Sequence, residues 1–348
     1  MPTSCVTVGL PPTEKKIKMF PKKTPIKALV LLLFAALLNG CGHASVSQPS
    51  LADASEVTPE NTLVLVTGIT GNQGGGVAEA LLAQGFQVRG MSRNISSDRS
   101  KALIARGVEM VQADFTDYGS TTSAVQGVDQ MFLNITEQTT NYIDAAKHII
   151  DSAYEAGVTQ IVFTSNIPAN PESGFNVNPD RTKRMIELHL RESGHSYTTL
   201  RIPFLMENLM RDRNMQSMLT EGVVEYGEDN TVGYYINGGD IGLLAAAAFA
   251  NPLEWAGREV NMASDAVSSR ELVALISELS GREIGYRVAP WSEMRGPFVP
   301  NFQFFETLER SDYDIDEIRR SFPQVKTLKE YLISQDYGAK IRALADSL

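Results

Sequence analysis

The chain has 348 residues, 43% of them hydrophobic and 21% charged, with a formal net charge of −10. That is enough apolar material for a sizeable globular core, and it excludes a disordered or collagen-like chain. The acidic balance, with no long basic patch beyond the amino terminus, argues against nucleic acid as a ligand. Two cysteines, Cys5 and Cys41, are too few for a disulfide framework, and the scattered His43, His148, His189 and His195 lack metal-ligand spacing, so no metal is expected.

At the amino terminus, Lys22, Lys23 and Lys27 precede an apolar run over 28–38 and then Leu38-Asn39-Gly40-Cys41. A basic flank, a short apolar run and a cysteine have the form of a bacterial lipoprotein signal, in which Cys41 is lipidated. The run falls short of the roughly 20 apolar residues that span a membrane. Met19 is an alternative start. On this reading residues 1–41 are a leader and 42–61, rich in Ser, Ala, Pro and Glu, a flexible linker. The protein is then expected on the periplasmic side, membrane-bound only through a lipid on Cys41; the alternative is a cytoplasmic enzyme.

From residue 62 a different pattern begins. The apolar strand Val64-Leu65-Val66 runs into Gly68, Gly71 and Gly74, which open a helix over 77–83. Glycines at this spacing permit a tight turn, close approach of backbone N–H groups to a pyrophosphate, and close helix–strand packing. Gly68, Thr70, Gly71, Asn72, Gln73 and Gly74 are therefore candidate dinucleotide contacts. The second strand, over 86–91, ends in Ser92-Arg93-Asn94. A carboxylate there suits the ribose of NAD, whereas an arginine complements a 2′-phosphate, so Arg93 favours NADP(H) over NAD(H).

Helices near 97–106, 121–125 and 141–155 alternate with strands at 108–112, 130–135 and 160–164, each strand preceded by a Gly or polar turn. This predicts an α/β fold, a doubly wound parallel sheet over 62–203, with ligands outside the carboxyl ends of the strands. There Asp114 is placed to accept from an adenine amino group beside Phe115, with helix capping by Asp117 as the competing account of the acidic pair. Asn134 and Thr136 are placed to bond ribose hydroxyls or to satisfy their own turn. Over 204–348 the alternation weakens into strands at 222–226, 234–236, 259–262 and 284–288 and helices at 239–249 and 269–279. These predict a smaller α/β lobe that closes over the crevice and interleaves with the core. Ser268-Ser269-Arg270-Glu271 has the form of a capped helix start.

Thr67-Gly68-Ile69-Thr70-Gly71-Asn72-Gln73-Gly74, the Ser92-Arg93-Asn94 strand end, Lys183 to Glu187, the run Tyr197 to Phe204 closing in Glu207-Asn208, and the terminal Val325 to Leu332 resemble the NmrA-like family of atypical short-chain dehydrogenases. The resemblance implies a Rossmann domain binding NADP, with Lys183 orienting the nicotinamide ribose and Ser165 at the family's catalytic serine position. Short-chain dehydrogenases that reduce carbonyls carry a tyrosine four residues before the lysine as proton donor. Here that position is Pro179. The resemblance then implies an NADPH-dependent reductase of quinone-like or other small conjugated acceptors, which needs no such tyrosine. Phe175, Phe204, Met206 and Asn208 would line the acceptor pocket. The alternative is a non-catalytic NADP(H)-binding sensor or scaffold that acts through a protein partner.

Overall fold

The computed structural model describes residues 57–136, 138–167, 183–294, 303 and 312–348. The leader with Cys41, most of the linker, Phe175 and Pro179 lie outside the described residues. The strands are β1 (Leu63–Val66), β2 (Gln87–Ser92), β3 (Glu109–Gln112), β4 (Gln130–Leu133), β5 (Gln160–Asn166), β6 (Tyr197–Ile202), β7 (Phe204–Leu205), β8 (Val223–Tyr226), β9 (Val232–Ile236), β10 (Glu259–Asn261), β11 (Asp265–Ser268) and β12 (Tyr286–Ala289). The helices are α1 (Asn72–Ala83), α2 (Asp98–Ile104), α3 (Tyr118–Ala124), α4 (Tyr142–Glu155), α5 (Arg184–Glu192), α6 (Asp212–Thr220), α7 (Gly238–Ala250), α8 (Pro252–Trp255), α9 (Ser269–Ser280), α10 (Ile315–Ser321), α11 (Leu328–Ser334) and α12 (Tyr337–Asp346).

Seven strands form one parallel sheet in the order β10-β6-β5-β4-β1-β2-β3. The chain winds outward in both directions from β1, so the switch point lies between β1 and β4, where a doubly wound sheet opens its ligand crevice. Helices cover both faces, which is why the inner strands read as unbroken apolar runs. Side chains of period two divide between the faces. Val64, Val66, Phe132, Val162 and Leu200 enter one core with Val77 of α1 and Ile241 and Leu244 of α7. Leu65, Met131, Leu133, Ile161 and Phe163 enter the other with Ile149 of α4 and Ile186 and Leu190 of α5.

Two elements expected in the smaller lobe build onto this layer instead, a strand on the sheet and a helix on α1. Strand β10 pairs with β6, with Glu259 opposite Thr199 and Asn261 opposite Arg201, and covers an edge that would otherwise be unpaired. Helix α7 lies on α1, backbone against backbone. A Cβ on Gly76 or Gly242 would fall well inside 3.0 Å of a carbonyl of the other helix, and one on Gly238 equally close to the Asn72 carbonyl. Residues Ala52–Leu348 form one compact unit.

The remainder of the carboxyl-terminal half is a three-stranded sheet, β11-β9-β7, and the pair β12-β8. They pack with α6, α9, α11 and α12 around Met206, Met215, Ile276, Leu328, Leu332, Tyr337 and Ile341. Ser268 and Glu271 cap α9 reciprocally, and Gly281 ends it at φ 69°, a conformation that favours glycine. Among the described residues no helix is long and apolar enough to cross a membrane.

Candidate functional site

At the carboxyl end of β1 the backbone turns through Gly68 at φ +61°, and the Gly71 N–H donates to the Gly68 carbonyl at 2.9 Å. A Cβ on Gly74 would fall well inside 3.0 Å of that same carbonyl. The first glycine is needed for its dihedral and the third for the contact between helix and turn. The turn is pinned from below by Thr67, whose hydroxyl donates to the Phe132 and Asn134 carbonyls at 3.2 and 3.1 Å and accepts from the Asn134 N–H at 2.8 Å. Ser97, Asp117, Asn237 and Ser268 cap α2, α3, α7 and α9 with their side chains, whereas Gly71 caps α1 with none. The first-turn N–H groups of α1 thus emerge beside a glycine cradle, an arrangement that accepts a pyrophosphate. The residues present fit a dinucleotide.

Further along the edge, Arg93 is exposed just past β2. Asp114, past β3, holds a turn by accepting from the Thr116 N–H at 2.9 Å and its hydroxyl at 2.8 Å. Those bonds, with the charge of Arg93, keep its carboxyl below the usual Asp value. Asp117 caps α3 through the Ser120 N–H. Phe115 is half-buried against the core, and Thr136 exchanges hydrogen bonds with Gln138 in its own turn. One basic residue escaped the sequence reading. Arg99, in the first turn of α2, donates to the Thr70 carbonyl in the glycine turn at 2.9 Å. The local signal is the cap at Ser97, which accepts from the Ser100 N–H and puts Arg99 in the first turn of α2.

Lys183 is buried at the start of α5, its Nζ donating to the Thr164 carbonyl at 2.8 Å and lying 5.5 Å from the Phe163 ring centre. One turn on, Glu187 accepts from Arg201 of β6 at 2.7 and 3.1 Å, and Arg201 also bonds Glu259 of β10 at 2.5 Å. Arg191 grips Glu259 from outside at 2.8 Å. This chain of charges locks α5 onto the sheet and so sets where Lys183 stands. Ser165 sits in register with Arg201, fully buried, with no hydrogen-bond partner for its hydroxyl among the described residues.

Where β6 leaves the sheet, a cavity of about 420 Å³ opens, lined in part by Phe204, Asn208, Tyr226, Tyr235, Trp291 and Glu225. Met206 is not on its wall. It is fully buried among Met215, Leu272 and Ile276, with its sulfur 3.8 Å from the Asn237 amide nitrogen. Neighbouring Glu207 accepts from the Gly238 N–H at 2.7 Å at the start of α7, and burial raises its pKa. Asp240, in the same helix turn, accepts from Asn237 at 2.7 Å and Ser264 at 2.6 Å, and burial pushes its pKa up to about 6.

Residues 60–344 match the NmrA-like family. An NmrA-like family domain-containing oxidoreductase of Aspergillus flavus, lnaB, is 29% identical over 276 residues, covering 72% of this chain and 80% of its own. Quinone oxidoreductase 2 of Escherichia coli K12 is 28% identical over 239 residues, covering 65% and 77%. Among solved structures, the Citrobacter triphenylmethane reductase complexed with NADP(H) superposes with a TM-score of 0.64 at 19% identity, covering 78% of this chain and 99% of that one. At that identity the likeness shows the fold. The periplasmic lipoprotein expectation is corrected by these matches, since lnaB and the Cladobotryum relative FrzB are named as NmrA-like family domain-containing oxidoreductases.

Proposed function

The chain belongs to the NmrA-like family, and on that premise we propose that it is an NADPH-dependent reductase of quinone-like or other small conjugated acceptors. The observation that supports this reading is a glycine cradle built for a dinucleotide at the carboxyl end of β1, in a chain that also holds a largely apolar cavity lined from β7, β8 and β9. Relatives whose names are quinone oxidoreductase and triphenylmethane reductase support both the nicotinamide cofactor and the acceptor class. When bound, the cofactor supplies a hydride.

In this proposal the chain's residues bind and orient. Gly68, Thr70, Gly71, Asn72, Gln73 and Gly74 receive the pyrophosphate against the α1 N-terminus, while Asn134 and Thr136 face the ribose. Arg93 grips the 2′-phosphate and Arg99 assists from the far side of the loop, so NADP(H) is preferred; Asp114 and Phe115 bracket the adenine. Lys183, steadied by the Thr164 carbonyl, bonds the nicotinamide ribose beside Ser165. Phe204 and Asn208 hold the acceptor, so that rate comes from face-to-face placement rather than from a protein acid.

Pro179 favours one competing reading, a sensor that binds NADP(H) and turns nothing over, because the position cannot donate a proton. The test is NADPH titration of the full chain, followed by NADPH oxidation with naphthoquinones, conjugated dyes and simple carbonyls, with Lys183→Ala in parallel. Oxidation with quinones or dyes, lost in Lys183→Ala, is expected. Tight NADPH binding without oxidation by any acceptor overturns the reductase in favour of the sensor.

A further inference from the structure

The turn after β7 has one residue on the wall of the cavity and its neighbour one contact away from the glycine cradle. Residues Met206–Met210 form a short 3-10 helix, so Glu207, Asn208 and Leu209 shift together. Asn208 and Leu209 line the cavity. Glu207 instead reaches α7, where its Oε1 accepts from the Gly238 N–H at 2.7 Å. A carboxylate there gains from its own charge and from the partial positive end of the helix. Its Oε2 is buried with no partner among the described residues, so its hold on α7 runs through Oε1. Gly238 in turn lies against the cradle: a Cβ on it would fall well inside 3.0 Å of the Asn72 carbonyl and 3.1 Å from Glu207 Oε1. Asn72 is the first residue of α1, beside Gly71.

Helix α7 does not need Glu207 as a cap. Asn237 already caps it, its side chain accepting from the Asp240 N–H at 3.0 Å. A buried carboxylate costs desolvation, and burial accordingly raises the pKa of Glu207. A second cap at that cost is explained by a connection between elements rather than by support for one helix. From Asn72 to Asn208 the connection has three links: a backbone contact with no slack, one charge-assisted hydrogen bond and one peptide unit. Close-packed backbone passes a displacement on rather than absorbing it. At its far end the Asn208 carbonyl accepts from the Asn214 side-chain amide at 2.7 Å, which ties the cavity wall to α6.

Resting on the cofactor and acceptor sites of the reading above, we propose that Glu207 is a positioning residue that couples them. A dinucleotide seated on the cradle fixes Asn72 and Gly238, and through Glu207 it orders the cavity wall at Asn208 before an acceptor enters. Linkage requires the reverse as well, so an occupant of the cavity tightens the dinucleotide by the same factor. The test uses the full chain and 2′-phospho-ADP-ribose, which carries the adenine and phosphates of NADP(H) but no nicotinamide that could shield the cavity itself. Trp291 lines the cavity, and the only other tryptophan, Trp255, is 7% exposed, so acrylamide quenching of tryptophan emission reports the cavity wall. Saturation with the probe, checked by calorimetric titration, should at least halve the quenching constant of wild type. Glu207→Ala should still bind the probe but keep its quenching constant unchanged. Glu207→Gln, which retains an acceptor for the Gly238 N–H, should behave as wild type. If Glu207→Ala does not fold, Glu207→Asp, one methylene short of Gly238, takes its place with the same expectation. Unchanged quenching in wild type with the probe bound, a wild-type response in Glu207→Ala, or a lost response in Glu207→Gln overturns the proposal. No binding of the probe by wild type overturns it together with the cofactor reading. Coupled quenching without NADPH oxidation by any acceptor supports it and counts against the reductase reading alone.

Discussion

Two adjacent glycines in α1 should respond to alanine in opposite directions. A Cβ on Gly76 would lie well inside 3.0 Å of the Gly238 carbonyl carbon and oxygen and 2.9 Å from the Gly239 nitrogen. All three atoms are backbone, so no rotamer change relieves the contact, and α1 and α7 must separate. Forcing a methyl group into a close-packed core costs about 1–3 kcal/mol, and a rigid obstacle puts this site near the top of that range. Alanine recovers roughly 1 kcal/mol as the better helix former, leaving Gly76→Ala destabilised by about 2 kcal/mol. For a compact unit of this size that lowers Tm by roughly 3 °C. At Gly75 the nearest atom to an added Cβ is the Ile69 carbonyl oxygen at 3.5 Å, an ordinary contact. Gly75→Ala should therefore be neutral or stabilising by up to about 1 kcal/mol. Thermal unfolding of both variants by circular dichroism decides. Because the Asn72 carbonyl touches Gly238, Gly76→Ala should also weaken NADPH binding, read by fluorescence titration. Equal Tm values for the two variants would refute the backbone-contact account of the α1–α7 interface.

Arg93→Ala should weaken NADPH by about tenfold and leave NADH unchanged, in keeping with a lost charge-assisted bond of about 1.5 kcal/mol; Arg99→Ala, which also releases the Thr70 carbonyl, should weaken both, and titration with each nucleotide separates them. Glu187→Ala leaves the buried Arg201 with only Glu259 opposite and should cost about 3 kcal/mol in urea unfolding, the low end for a broken buried pair. Asp240 has a folded pKa near 6, raised by burial above its unfolded value, so the folded state binds the extra proton and stability falls as pH rises from about 4 to 6. Asp240→Asn should flatten Tm against pH across that window and raise Tm at pH 7; an unchanged slope would count against a buried, titrating Asp240.

Legibility in the sequence followed the range of the interaction concerned. The turn at Gly68 to Gly74 shows in sequence because a positive φ and a forbidden Cβ both demand glycine locally. The α9 start is equally local, its Ser268–Glu271 box spanning one turn. Strand β10 is three residues, Glu-Val-Asn, too short to carry a period, and its assignment rests on the open edge of β6. Helix α7 is apolar on all sides, which announces burial without naming a partner; the partner is α1, far away in sequence. Glu225 takes two of its donors, Asn230 and Thr231, from the turn that follows β8, but the third, Tyr286, comes from the distant β12, which no local pattern connects. The basic flank, apolar run and cysteine of the leader form a short compositional pattern that serves several targeting roles, so it specifies no single one.

Hydride delivery itself is tested most directly with NADPH carrying deuterium at either face of nicotinamide C4. The full chain is mixed with each form and a conjugated acceptor, and the oxidised nucleotide is weighed by mass spectrometry. Enzyme-dependent oxidation that removes the label from one face only, slowed by deuterium at that face and abolished in Lys183→Ala, is the predicted result. A folded protein that binds NADPH in titration, yet leaves both labelled forms unoxidised with cationic and quinone acceptors alike, would contradict the assignment as a reductase.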